Sequence, residues 1–157
     1  MNRYIICVED NRIICGSFDN GMPITEDRFK LIESDLSINE ILNNHYYDNG
    51  LVSLPTKPHK YCSFNYATKQ YVVDGLDTCK SEYKLMINAL THNVIIDKYP
   101  MYKQNNILAS GNQILIDECW AFIDSKIVIS NTTNDNIMNS TTVEEIDNHY
   151  KYFQTVI

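Results

Sequence analysis

No run of lysine and arginine occurs in this chain, and 20 acidic residues against 13 basic ones leave a net charge of -7. A protein that grips nucleic acid usually carries a basic face, so DNA and RNA are not expected partners. No stretch approaches the roughly 20 apolar residues that cross a bilayer as a helix. The opening Met1-Asn2-Arg3-Tyr4-Ile5-Ile6-Cys7-Val8-Glu9 is too short in apolar residues for a signal peptide, so no membrane is expected either. The five cysteines (Cys7, Cys15, Cys62, Cys79 and Cys119) form an odd set without close spacing. That pattern predicts free thiols in a reducing cytoplasm, not a disulfide framework.

Signatures of catalysis are missing as well. There is no G-x-S-x-G for a serine nucleophile and no G-x-x-x-x-G-K phosphate loop. His59-x-x-Cys62 has no second pair at a structural-zinc distance. Cys79 and Cys119 fall on apolar helical faces, where a thiol is usually inert. Cys7 and Cys15 alternate with apolar strand residues and read as small core fillers. The adjacent carboxylates Asp117-Glu118 and Glu144-Glu145 point in different directions on a helix, whereas a glycosidase pair must flank a bond at about 5–9.5 Å. The expectation is a protein that is not an enzyme and needs no cofactor or metal.

Apolar residues make up 44% of the chain, enough for a sizeable core. Residues 3–8 and 12–18 are β-rich runs around Glu9-Asp10-Asn11, a hairpin pattern, and Asp19-Asn20-Gly21 with Pro23 closes that unit. Phe29–Glu33 is a further short strand. Ser37-Ile38-Asn39-Glu40 is a capping box, opening a short helical turn before Asn43-Asn44. Asn49-Gly50 lies between apolar runs, the strongest short-range hairpin signal. Pro55 and Pro58 then hold the chain extended. A third hairpin runs Tyr61–Asn65 and returns as Gln70–Val73, bending at Ala67-Thr68-Lys69.

From Leu76 the period changes. Leu76, Cys79, Tyr83, Met86, Leu90 and Val94 make one stripe along a helix, with Asp74 or Asp77 as N-cap and Tyr99-Pro100 as its end. Gln104–Ala109 is a short helix stopped by Ser110-Gly111. Asn112–Ile129 is another helix, although its β-branched end, Ile127-Val128-Ile129, suits a strand equally. Ser130–Thr141 is polar and reads as a flexible loop. Thr142-Val143-Glu144-Glu145 is a second capping box, opening a helix with Ile146, Tyr150 and Phe153 inward. The predicted fold is α+β: a β-hairpin-rich region over 1–75, then a helical region over 76–157 with a polar loop at 130–141.

Two features point towards binding another protein. Tyr46, Tyr47, Tyr61, Phe64, Tyr66 and Tyr71 crowd two neighbouring hairpins, and tyrosine supplies rigid apolar area with one polar tip. The alternative is that the rings close a mini-core between hairpins. The stripe carrying Cys79, Tyr83, Met86 and Leu90 is narrow enough for a coiled-coil seam, so homo-oligomerisation stands beside packing on the chain's own later helices.

The segment 44–110 resembles bacteriophage tail-fibre assembly proteins. The likeness rests on five pieces in order: Tyr46-Tyr47-Asp48-Asn49-Gly50-Leu51-Val52; Pro55 and Pro58; Ala67-Thr68-Lys69-Gln70-Tyr71-Val72-Val73-Asp74; Ile87-Asn88-Ala89; and Tyr99-Pro100-Met101-Tyr102-Lys103-Gln104-Asn105-Asn106-Ile107. Tyr66 and Tyr71 stand where the family pattern carries tryptophan, and residues beyond about 124 lie outside the likeness. The resemblance implies a chaperone-like protein that binds a tail fibre or another tail protein and helps it fold or trimerise. Its expected location is the virion tail, or the host cytoplasm during assembly. Similar hairpin-plus-helix segments are also appended to true virion tail proteins. The alternatives are therefore a permanent tail or neck component docking through the 76–94 helix, and a receptor- or glycan-binding tail protein using its carboxylates or tyrosines.

Overall fold

The computed structural model describes residues 2–21, 24 and 26–157; Pro23 of the closing turn lies outside them. The fold is α+β, with antiparallel strands leading and helices following. The chain divides into two compact units, Met1–Asp74 and Gly75–Ile157. No helix among the described residues is long and apolar enough to cross a membrane.

In the first unit, β1 (Asn2–Glu9) and β2 (Arg12–Phe18) form the leading hairpin. Its two turn residues, Asp10 and Asn11, have φ of 49° and 65°, the left-handed geometry that matches strand twist in a tight hairpin. β3 (Phe29–Ser34) adds to the other edge of β1, giving the antiparallel order β2-β1-β3. One face of this sheet carries Tyr4, Ile6, Ile13 and Ile32, which pack with Ile41 into the core. Ile41 comes from α1 (Ile38–Asn44), whose start is fixed by the predicted box of Ser37 and Glu40. Tyr4 is only 1% exposed, and its hydroxyl donates to the Leu36 carbonyl at 3.0 Å, so the buried phenol has a partner.

Two small hairpins complete the unit. β4 (His45–Tyr47) pairs with β5 (Leu51–Ser53) around Asn49, at φ 55°. The Tyr47 amide donates to the Asn11 carbonyl at 2.9 Å, which ties this hairpin to the β1–β2 turn. β6 (Cys62–Asn65) pairs with β7 (Gln70–Val73). The Asn65 side chain accepts from the Ala67 and Thr68 amides, each at 3.0 Å, an Asx-type turn that brings the chain round to Lys69 at φ 57°.

The second unit contains α2 (Leu76–Lys98), α3 (Met101–Ser110), α4 (Gln113–Asn139) and α5 (Val143–Val156). α2 starts at Leu76, but neither Asp74 nor Asp77 caps it: Gly75 holds the N-cap position without a side-chain bond. Gly111, at φ 64°, stops α3 as a left-handed residue. Asn112 then caps α4 by accepting from the Ile114 and Leu115 amides.

Residues 130–139 of the predicted loop are instead the last third of α4, which continues unbroken through Ile127-Val128-Ile129 to Asn139. The buried side of this helix reads Cys119, Ile123, Ser130, Thr133, Asn134 and Ile137, a helical stripe whose members Ser130, Thr133 and Asn134 are polar but small. Hydroxyls can be buried there by bonding back to their own helix. Thr133 donates to the Ile129 carbonyl at 2.9 Å, and Thr91 of α2 does the same to Ile87 at 2.9 Å. What these side chains then turn outward is mostly carbon.

Asn134 is the member of this seam that is not fully satisfied. Its amide nitrogen donates to Asn88 at 3.0 Å, while its Oδ1 is buried without a hydrogen-bond partner. Desolvating an acceptor in this way costs about 1–3 kcal/mol, and alanine is the better helix former by roughly half a kcal/mol. Asn134→Ala is therefore expected to leave stability unchanged or raise it by up to about 1 kcal/mol, even after losing one hydrogen bond. Urea melts followed by circular dichroism check this; a loss above about 1 kcal/mol would show that the Asn88–Asn134 contact stabilises the seam.

Both predicted capping boxes form, at Ser37/Glu40 and at Thr142/Glu145. Hydrogen bonds from the Ser37 side chain and amide hold the Glu40 carboxyl below its ordinary pKa. Bonds from the Thr141 amide and hydroxyl do the same for Glu145. A carboxyl with a lowered folded-state pKa stabilises above its unfolded value and loses that contribution as pH falls through the folded one. Stability is therefore expected to be flat above the ordinary value of 4.5 and to decline below it. Thermal melts between about pH 3 and 7 should show a shallower acid decline in the double variant Glu40→Gln/Glu145→Gln. An identical acid limb would remove the boxes as its source.

Candidate interaction surfaces

The hairpin aromatics meet each other. Phe64 of β6 lies opposite Tyr71 of β7 in register, with ring centroids 5.3 Å apart and edge-on. Tyr66 approaches the same ring edge-on at 5.1 Å, and Tyr46 of β4 reaches it from the other hairpin at 5.4 Å. Three tyrosines thus surround one phenylalanine at separations favourable for aromatic pairs. Tyr46 is buried, and Phe64, Tyr66 and Tyr71 are half-buried. The Tyr66 carbonyl accepts from the Asn11 side chain at 3.3 Å, and Arg12 stacks over its ring at 5.8 Å. The Tyr71 hydroxyl donates to the Pro55 carbonyl at 3.1 Å, and Lys69 pairs with Asp48 across the two hairpins. Tyr47 turns instead towards the sheet core beside Leu51. The mini-core alternative describes these rings: they hold β4–β5 and β6–β7 together.

The α2 stripe is rotated from its predicted position. The buried residues of α2 are Cys79, Ile87 and Thr91, so Met86 is exposed and Leu90 half-buried. Cys79 is 0% exposed and offers nothing to a partner. Tyr83 also faces inward: its hydroxyl donates to the Asp147 carboxylate of α5, and its ring meets Tyr150 edge-on at 5.1 Å. Of the α2 residues nominated for binding, Met86 remains on the surface.

The surface that hydropathy periodicity did not single out lies elsewhere on the helical unit. Leu85, Met101, Tyr102, Ile114, Val128 and Tyr152 are each 61% to 70% exposed. α3 buries none of its residues despite carrying Met101, Tyr102, Ile107 and Leu108. Between α4 and α5 runs a groove of about 210 Å³ lined by Val128, Thr132, His149, Tyr152 and Val156 among others. Large apolar side chains thus face solvent in the unit that buries Thr91, Ser130, Thr133 and Asn134. Exposed apolar side chains that gather into one patch mark interaction sites, and Met101, Tyr102, Leu108 and Ile114 are exposed within one short stretch of chain.

One cysteine and one histidine do come together. The Cys62 sulfur lies 3.3 Å from His59 Nε2, and the Cys62 amide donates to the His59 carbonyl at 3.3 Å. A nucleophilic role needs a group that orients the imidazole and a substrate cleft at the sulfur, whereas Cys62 is buried and the ring beside His59 is that of Tyr61, at 6.0 Å. The contact closes the turn before β6. Among the described residues, no group of three or more His, Cys, Asp or Glu could hold a metal ion.

No protein-family model, curated protein or solved structure matches this chain.

Proposed function

We propose that this chain is a non-enzymatic bacteriophage tail-associated protein that binds tail fibres and assists their assembly or attachment. The observation that carries the reading is the outward apolar surface of the helical unit, Leu85, Met101, Tyr102 and Ile114 above all. The ordered likeness over 44–110 to tail-fibre assembly proteins supplies the partner class. Fibre subunits form β-rich trimers whose edges and apolar surfaces aggregate when exposed during folding. A small protein with a net charge of -7 could cover such a surface and keep the complex soluble.

The test is co-elution of the full chain with the tail-fibre subunit of the same phage on size exclusion. Ile114→Glu and Leu85→Glu alter exposed positions, so folding should survive while co-elution is lost. Retained binding in both variants would remove this surface from the reading. Mass spectrometry of purified particles separates two versions of the role: stoichiometric presence means a permanent tail component, and absence means a helper that leaves.

A further inference from the structure

Among the described residues, which include all five cysteines, Cys15 alone is exposed; Cys7, Cys62, Cys79 and Cys119 are buried. Cys15 is also the register partner of Cys7 across the β1–β2 hairpin. This pairing depends on a bulge: Glu9 faces Arg12 and Val8 faces Ile13, but the register then slips, so that Cys7 faces Cys15 and Ile14 has no opposite. Tyr4 and Ile6 point into the core from β1, so by strand alternation Cys7 lies on the opposite face, directly across from its register partner Cys15.

Directly opposed residues in an antiparallel pair have Cα atoms about 4.5–5.5 Å apart. A disulfide accepts Cα separations of about 4.4–6.8 Å, and a bulged strand has extra freedom to bend. The two thiols differ in access. Cys15 can be reached from solvent. Burial, and then the neighbouring Cys15, push the Cys7 thiol above its ordinary pKa, with Arg28 acting in the opposite direction. The Arg28 carbonyl accepts from the Val8 amide at 2.7 Å, which fixes the backbone of that residue beside this stretch of β1.

We propose that Cys15 and Cys7 form a thiol–disulfide exchange site for small disulfides of the glutathione type, Cys15 attacking first and Cys7 resolving. In the first step the Cys15 thiolate attacks one sulfur of the small disulfide; a Cys15–ligand mixed disulfide forms and one ligand thiolate leaves. In the second, Cys7 loses its proton to water and its thiolate attacks the Cys15 sulfur, breaking the mixed bond and releasing the second ligand thiolate. Two protein thiols are oxidised to one disulfide, and one small disulfide is reduced to two thiols. The product is a covalent staple across the hairpin, and the site stands independently of any tail-fibre partner.

The experiment incubates the full reduced chain with oxidised glutathione, quenches by alkylation, and reads intact and peptide masses. The expected product is an intramolecular Cys7–Cys15 link with no glutathione retained. Cys7→Ser should stop at the mixed disulfide on Cys15. Cys15→Ser should slow glutathione consumption by about tenfold or more, since the remaining thiols are buried. The wild-type arm needs no variant to fold. A wild-type chain that accumulates stable glutathione on Cys15 with Cys7 still free, or that links Cys15 to another cysteine, overturns the proposal.

Discussion

Phe153→Ala should remove about 3–5 kcal/mol from the helical unit, the usual cost of deleting a phenylalanine from a packed core. Phe153 is 0% exposed on α5 and stacks against Tyr150 at 6.4 Å. Tyr150 in turn meets Tyr83 of α2, so the ring belongs to a chain of aromatics that joins α5 to α2. Whole domains are stable by only about 5–15 kcal/mol, and a unit of this size has little to spare. Helical circular dichroism in urea should therefore show the variant largely unfolded, or melting far earlier than the parent. Ile127→Ala, at a position 42% exposed, serves as the comparison and should shift stability by less than about 1 kcal/mol. If the two variants melted alike, the core of the helical unit would lie elsewhere.

Phe64→Ala should be the most damaging change in the β-unit outside its sheet core, costing about 2–4 kcal/mol because the ring is half-buried. Three neighbours lose their common contact at once: Tyr46, Tyr66 and Tyr71. The β4–β5 and β6–β7 hairpins are each too small to persist alone. The β2-β1-β3 sheet keeps its own core of Tyr4, Ile6, Ile13, Ile32 and Ile41. Amide hydrogen exchange should accordingly rise across residues 62–73 while β1 stays protected. An unchanged exchange pattern would mean that the aromatic cluster does not hold the hairpins and is free for another use.

The hairpins and the two boxed helix starts were legible because each rests on local chemistry, whereas α2 starts after Gly75 without the predicted aspartate cap and α3 begins at Met101, ahead of the predicted Gln104. Asp10-Asn11, Asn49-Gly50 and the two Ser/Thr–Glu boxes fix backbone geometry within four residues, and all four are found where the sequence places them. The end of α4 was not legible because hydropathy marks a buried helical face only when that face is apolar. Ser130, Thr133 and Asn134 are buried, and their small size, together with the Thr133 back-bond and the contact of Asn134 with Asn88, lets them pass for core. The same effect displaced the α2 stripe: Thr91 is buried and Met86 is exposed, the reverse of what apolarity ranks.

Register was hidden for a different reason. A regular two-residue hairpin at Asp10-Asn11 would set Cys7 against Ile14; the bulge moves it to Cys15, and no residue type there announces the slip. The aromatic cluster was visible as a cluster, but whether it faces a partner or itself depends on where one hairpin sits against the next. The outward apolar residues of α3 and early α4 were visible only as an absence of pattern.

The proposed role in tail-fibre assembly is tested most directly by co-expressing this chain with a bacteriophage tail-fibre subunit and reading the yield of soluble fibre trimer. Soluble trimer is expected to rise clearly with the parent chain and not with the Leu85→Glu/Ile114→Glu double variant. A trimer yield that is the same with the parent chain, the double variant or no partner at all would contradict the role.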